Sequence, residues 1–278
     1  MIKARCLVLV LIFSMTSTAA ASAYKIDKDF LLLQFDSKTD VDDLHTIAAV
    51  ATILNLEPFS AIHYHAVAGA YGDQDGLYVP SPKLFDAAFP GNWSDNHNHP
   101  ELALTTVVNL IVAQLDLGAD IWVVEAGQSN FTARWLKYVA KQRPHLNLKS
   151  RIIVVQHSDW NEEQTSPDDL DFVKNEVTYK KIPDGNAVGN GSPGFKYLEP
   201  FDIEAYLFDS NLRKLWQRAI ILGDHYNGLD GRYENDAVAA GGLDFSDTVE
   251  LCWILGLNDL KNVQDFFNYV RAGAVGEP

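Results

Sequence analysis

Phe30-Leu31-Leu32-Leu33-Gln34-Phe35-Asp36-Ser37-Lys38-Thr39-Asp40-Val41-Asp42-Asp43 runs from an apolar segment straight into a crowd of carboxylates. Six residues with a single polar member are the pattern of a strand buried on both faces. The run stops at Asp36. Beyond Asp40, Val41, Leu44, Ile47, Ala48, Ala51 and Leu54 recur at helical spacing. The acids therefore occupy a strand-to-helix turn.

The same alternation continues downstream. Apolar runs predict strands over 61–68, 120–125 and 151–156, and helical periodicity predicts helices over 102–117, 131–139, 212–222 and 248–255. Strands alternating with helices predict a three-layer α/β fold: a mostly parallel open sheet, Rossmann-like, with helices on both faces. In such sheets ligands bind outside the C-terminal ends of the strands, which is where the acidic turn falls. Two stretches, 71–100 and 179–200, are rich in Gly, Pro, Asp and Asn and are expected to be irregular binding or lid loops.

The N-terminus carries Lys3 and Arg5, the apolar run Cys6 to Met15 and the small residues Ala21-Ser22-Ala23. This is the pattern of a secretory signal peptide over 1–23, too short to span a membrane. It predicts a secreted or periplasmic protein whose single domain covers 24–278. That domain keeps one cysteine, Cys252, so no intramolecular disulfide can form. The formal charge of −15 becomes about −17 without Lys3 and Arg5. Such a charge disfavours a nucleic-acid polymer or an anionic membrane as partner and favours a small-molecule substrate or a bound cation. The sequence leaves oligomeric state open, a homo-oligomer included.

Four carboxylates in eight residues demand compensation. Two of them about 4 Å apart repel by roughly 1 kcal/mol in water and roughly 4 kcal/mol at an effective dielectric of 20. A hard cation such as Ca²⁺, which takes oxygen ligands, suits the cluster better than zinc. The ordinary alternative is helix capping, with Asp40 as N-cap and Asp42 and Asp43 on the positive end of the helix dipole. Capping leaves Asp36 unexplained.

A strand ending in Asp, a turn, and an Asp-Asp pair opening a helix resemble the signature of the nucleoside hydrolases, Asp-x-Asp-Pro-Gly-x-Asp-Asp. Aligned on the pair, Asp36, Asp42 and Asp43 match its first, third and fourth acids, and Lys38 stands at the second. The stretch Val123 to Asn130 is similar to the family's Gly-Pro-Leu-Thr-Asn loop, with Ser129 where a backbone carbonyl ligates Ca²⁺. Gly241 to Glu250 is similar to its last motif, with Asp247 at the final Ca²⁺ ligand and Ser246 at a histidine that helps protonate the leaving base. Ala70 stands where the family often has Asn.

The resemblance implies Ca²⁺ held by Asp36, Asp42, Asp43, Asp247 and the Ser129 carbonyl. It also implies a hydrolase that cleaves a ribosyl C–N bond in a nucleoside or other glycoside with metal-activated water. Asp36 or Asp40 would stand in for the missing acid, with Lys38 beside them as a catalytic or electrostatic group. Asp184, Asn186 and Asn190 are expected to bind sugar hydroxyls, although the same residues are those a tight turn prefers. His157 follows a predicted strand and could reach a cleft, and Trp160 could stack on a base or sugar. His97 and His99 read as a polar loop, because no further zinc ligands accompany them. The alternative is a catalytically altered or inactive binder of a small ligand, since Lys38, Ala70 and Ser246 each replace a group the family uses. A phosphatase of the haloacid-dehalogenase type ranks lower, because it wants an Asp at position 38.

Overall fold

The computed structural model describes residues 23–57, 59–187 and 189–275. The signal peptide expected over 1–23 lies, except for its last residue, outside the described residues. Among the described residues no helix is long and apolar enough to cross a membrane.

The chain alternates as the periodicity predicts. Strand β1 (Phe30–Phe35) leads to α1 (Asp42–Leu54), β2 (His63–Ala68), α2 (Pro82–Ala88), β3 (Trp93–Asp95), α3 (Pro100–Asp116), β4 (Ile121–Ala126) and α4 (Asn130–Gln142). Next come β5 (Ile152–Gln156), α5 (Asp159–Glu163), α6 (Pro167–Glu176) and β6 (Thr178–Lys181). The C-terminal part holds β7 (Lys196–Tyr197), α7 (Ser210–Tyr226), α8 (Asp236–Ala239), β8 (Leu243–Asp244), α9 (Val249–Leu255) and α10 (Val263–Val275). Six strands form one parallel sheet in the order β3-β2-β1-β4-β5-β6, and β7 and β8 pair antiparallel beside it.

The two faces of β1 explain its unbroken apolar run. Leu31, Leu33 and Phe35 enter a core shared with α1, α2, α7, α9 and α10, whereas Phe30 and Leu32 enter a second core shared with α3, α4 and α6. The result is a three-layer, Rossmann-like α/β fold. Two expectations are corrected here. The stretch 71–100 is not wholly irregular, since it carries α2 and the short edge strand β3, and the stretch 179–200 contains the end of β6 and β7. Gly and Pro marked the turns of these segments and hid the short elements between them.

Order β3-β2-β1-β4-β5-β6 reverses direction between β1 and β4. This is the topological switch point, where connections leave β1 and β4 on opposite sides and a crevice opens between them. Gly127, just past β4, lets that crevice floor close: a Cβ there would meet the Ala70 carbonyl oxygen at 2.7 Å and the Asp36 Cβ at 2.8 Å.

Candidate functional site

A cleft of about 480 Å³ opens at the switch point. Asp36 at the end of β1 and Ala126 at the end of β4 border its floor. His157, Ser158, Trp160 and Asn161 after β5 form one wall, while Lys38, Thr39, Asp40, Lys196 and Tyr233 also line it. Asp42, Asp184, Asn186 and Asp247 complete it. Asp247 thus lies on the same rim of the sheet as Asp36 and Asp42, although more than 200 residues separate it from either.

Ser37 shapes the acidic turn. It is fully buried and takes a left-handed φ of 50°, uncommon for a residue with a side chain. Its N–H donates to Asp43 Oδ2 and its carbonyl accepts the Val79 N–H at 2.8 Å. Asp43 therefore sits behind the cleft, tying the turn to the helix. Its other oxygen, Oδ1, is buried without a partner.

Capping does not account for these acids. The N-cap of α1 is Val41, with no side-chain cap bond, and Asp40 instead takes the Val41 N–H at 2.6 Å and the Asn235 amide at 3.2 Å. Asp247 lies in a tight turn before α9, whose N-cap is Thr248, and no side-chain cap bond is made there either.

Burial and mutual repulsion act together on the cluster. Burial first, and then Asp40, raise the Asp36 carboxyl to about 6 against the hydrogen bonds with Gln128, Lys38 and Asp43. Burial, followed by the Asp244 charge, raises Asp40 to about 6. Asp42 is pushed well up by burial, Asp40 and Asp247, and Asp43 by burial, Asp36 and Asp247. Asp247 is pushed up by burial, with His157 opposing.

Lys38 does not neutralise this cluster. Its ammonium donates to the Gln74 carbonyl oxygen and lies 4.5 Å from the Tyr71 ring centroid, making no ion pair among the described residues. The cation that does face the acids is His157. Its Nδ1 is 2.7 Å from Glu250 Oε1, and its Nε2 is 3.4 Å from Asp247 and 3.7 Å from Asp184. Burial opposes charging the ring, but Glu250, Asp247 and Asp184 outweigh it and raise its pKa to about 9. As placed, Asn186 turns its amide nitrogen to His157 Nε2 at 3.3 Å and its oxygen to Ser246 Oγ at 2.9 Å. An imidazolium requires the reverse amide orientation, which also leaves the single Ser246 hydrogen for Asp244 Oδ1 at 2.7 Å.

Two expected site residues are placed elsewhere. The Ser129 carbonyl accepts the Ala133 N–H at 2.8 Å as the first turn of α4, and its hydroxyl donates to Glu125 at 2.6 Å beneath the sheet. Helix formation claims that carbonyl, and Ser129 does not border the cleft. Asn190 is spent inside its own turn, donating to the Asp184 carbonyl at 2.7 Å and accepting the Ser192 N–H at 2.9 Å.

Sequence reasoning missed Gln74, Gln128, Asn161, Lys196, Tyr233, Asn235 and Glu250. Asn235 carried a readable signal, an Asn before a short helix, and it caps α8 through Ala237 and Val238. The others are ordinary polar residues whose importance comes only from distant partners.

The donor set is all hard oxygen and strongly negative, so the residues suit Ca²⁺ or a similar cation in charge and chemistry. The cage is not closed: among the described residues no three His, Cys, Asp or Glu side chains are arranged to hold a metal ion. Asp42 Oδ1 is instead satisfied by the Asp43 N–H at 2.9 Å, and Asp40 by Asn235. A dinucleotide does not suit the site, because the turn after β1, where its pyrophosphate would need glycines, carries four acids. No protein-family model, curated protein or solved structure matches the chain.

Proposed function

We propose that the chain is an exported hydrolase of the nucleoside-hydrolase type, acting on the N-glycosidic bond of a nucleoside or related glycoside. The observation that carries this reading is the meeting of Asp36, Asp40 and Asp42 with Asp247 in one cleft at the switch point, each raised by burial and all but unneutralised.

Asp36, Asp42 and Asp247 on the cleft, with Asp43 behind them, would have to draw together to hold a Ca²⁺, which would supply the positive charge that acidifies a water at neutral pH. The remaining roles belong to the chain. Asp184 and Asn186 offer acceptors and donors to sugar hydroxyls, and Trp160, 47% exposed at the wall, offers a stacking face. Asp40 accepts the proton of the attacking water as its oxygen bonds to the anomeric carbon. The C–N bond breaks, its electron pair leaves with the base, and the His157 Nε2–H stands on the cleft wall to protonate that base.

The test is base release from a panel of purified nucleosides, with Ca²⁺ and with chelator. Turnover that chelation abolishes supports the reading; no turnover together with no Ca²⁺ binding defeats it. A second reading, a ligand binder without chemistry, is favoured by Ser246, whose hydroxyl is committed to Asp244 and cannot replace a protonating histidine. Tight nucleoside binding without hydrolysis would select it.

A further inference from the structure

The cleft floor rests on a chain of buried side-chain amides. Gln128 is 0% exposed, and its carboxamide uses all four of its hydrogen-bonding positions. Nε2 donates to Asp36 Oδ2 at 2.8 Å and to Asn161 Oδ1 at 3.0 Å. Oε1 accepts the Gly72 N–H at 3.1 Å and the Gln74 amide. Asp36 offers only acceptors when ionised and Gly72 only a donor, so the Gln128 amide has one possible orientation. That orientation propagates: Asn161 Nδ2 faces Gln156 Oε1 at 3.4 Å, and Gln156 Nε2 donates to the Gly127 carbonyl at 2.7 Å.

The four segments that Gln128 joins follow β2, β1, β4 and β5, which are neighbours in the sheet. One side chain therefore sets the spacing of four adjacent strand ends on which the cleft is built. A space-filling residue would not need this directionality, and a buried amide with any of these partners missing is destabilising.

We infer that Gln128 is the positioning residue of this site, orienting the Asp36 carboxylate and locking the 70–79 segment and the Trp160-bearing α5 to it. The catalytic part of the inference rests on the hydrolase reading; the structural part does not. Gln128→Glu keeps the shape and turns both donated N–H groups into an oxygen facing Asp36 and Asn161. Gln128→Met keeps the volume and removes all four bonds without adding charge.

Hydrogen exchange on the full chain tests both variants. Loss of protection by about tenfold or more is expected in 70–79 and 157–165, with α3 and α10 exchanging as in the wild type. Nucleoside turnover by Gln128→Met is expected to show kcat reduced by about tenfold while KM changes much less, the mark of misplaced chemistry rather than weaker binding. Unchanged protection in those two segments, or protection lost evenly across all helices in both variants, overturns the inference. A wild type lacking both turnover and cation binding defeats the hydrolase reading alone, and the exchange comparison still decides the place of Gln128.

Discussion

His157 Nδ1 lies 2.7 Å from Glu250 Oε1, and neither side chain reaches solvent. A buried charge pair is costly to break by removing one partner, about 3–5 kcal/mol, because the survivor is left uncompensated. Glu250→Gln is therefore expected to destabilise the protein by about 3 kcal/mol near neutral pH. The pH dependence has a definite sign. The folded pKa of His157 is raised to about 9, so its stabilisation is complete below the unfolded value near 6.5 and fades as pH rises through about 9. Denaturant unfolding from pH 6 to 10 checks this. A variant as stable as the wild type at pH 6, or one with the same pH slope, would show the pair contributes nothing.

The aspartates shift stability in the same direction, at lower pH. Asp36 and Asp40 are raised to about 6, and Asp42, Asp43 and Asp247 are raised well above their ordinary value. The unfolded chain gives up these protons first, so stability without a cation is expected to fall as pH rises from about 4 through 6 and beyond. A divalent cation bound as proposed is expected to reverse this loss. Saturation at about 1,000 times Kd adds about 4 kcal/mol, which in a domain of this size is on the order of 10 °C in melting temperature. Thermal unfolding with Ca²⁺ or chelator should show a large shift at pH 7 and a small one at pH 5. Asp247→Asn should raise the melting temperature in chelator and abolish the Ca²⁺ shift. Equal melting with and without Ca²⁺ at pH 7 would remove the cation from the site.

Lys38→Asp carries the sharpest functional expectation. The lysine now holds the Gln74 carbonyl and the Tyr71 face, so its loss should loosen the 71–79 segment at a cost of about 1 kcal/mol. The new carboxylate would join the acids on the cleft floor. Calcium affinity, measured by calorimetry, is expected to rise by about tenfold or more, equivalent to one added charged ligand. Affinity unchanged or lowered would mean that position 38 faces away from the cation whatever residue occupies it.

The central features of the fold were legible because they depend on local pattern. The run Phe30 to Phe35 is apolar on both faces because β1 lies mid-sheet between two helix layers, and the helical spacing from Val41 to Leu54 marks part of α1, which is buried all round from Asp43 to Leu54. Asp36, Asp42 and Asp247 could be singled out because carboxylates at strand and helix ends are conspicuous. The positions of Ser129 and Asn190 could not be read, since either residue serves a turn or a ligand equally well until its partners are known. Gln128 and Glu250 left no trace, because their roles arise from Asp36 and His157, each about 92 residues or more away in sequence. Edge strands β3 and β6 were hidden by their brevity and by flanking turn residues.

Glu125 tests a different part of the molecule. It projects from β4 to the face opposite that of Val124, fully buried, and accepts hydrogen bonds from Ser129 Oγ at 2.6 Å and Thr132 Oγ1 at 2.5 Å. Burial raises its carboxyl to about 7 despite those two hydroxyls, with Glu250 and Glu162 adding repulsion. A carboxyl raised on folding imposes no cost below its unfolded value near 4.5, an increasing cost from there to about 7, and a constant cost above, on the order of 3 kcal/mol. Glu125→Gln removes the charge and keeps the shape, and the Ser129 and Thr132 hydroxyls can rotate to accept from the new amide. The variant is expected to be more stable than the wild type at pH 8 by about 1–3 kcal/mol and no more stable at pH 5. Denaturant unfolding at the two pH values measures it. A variant destabilised equally at both would mean that Glu125 is held as a charged acceptor throughout, and that the two hydroxyls compensate its burial in full.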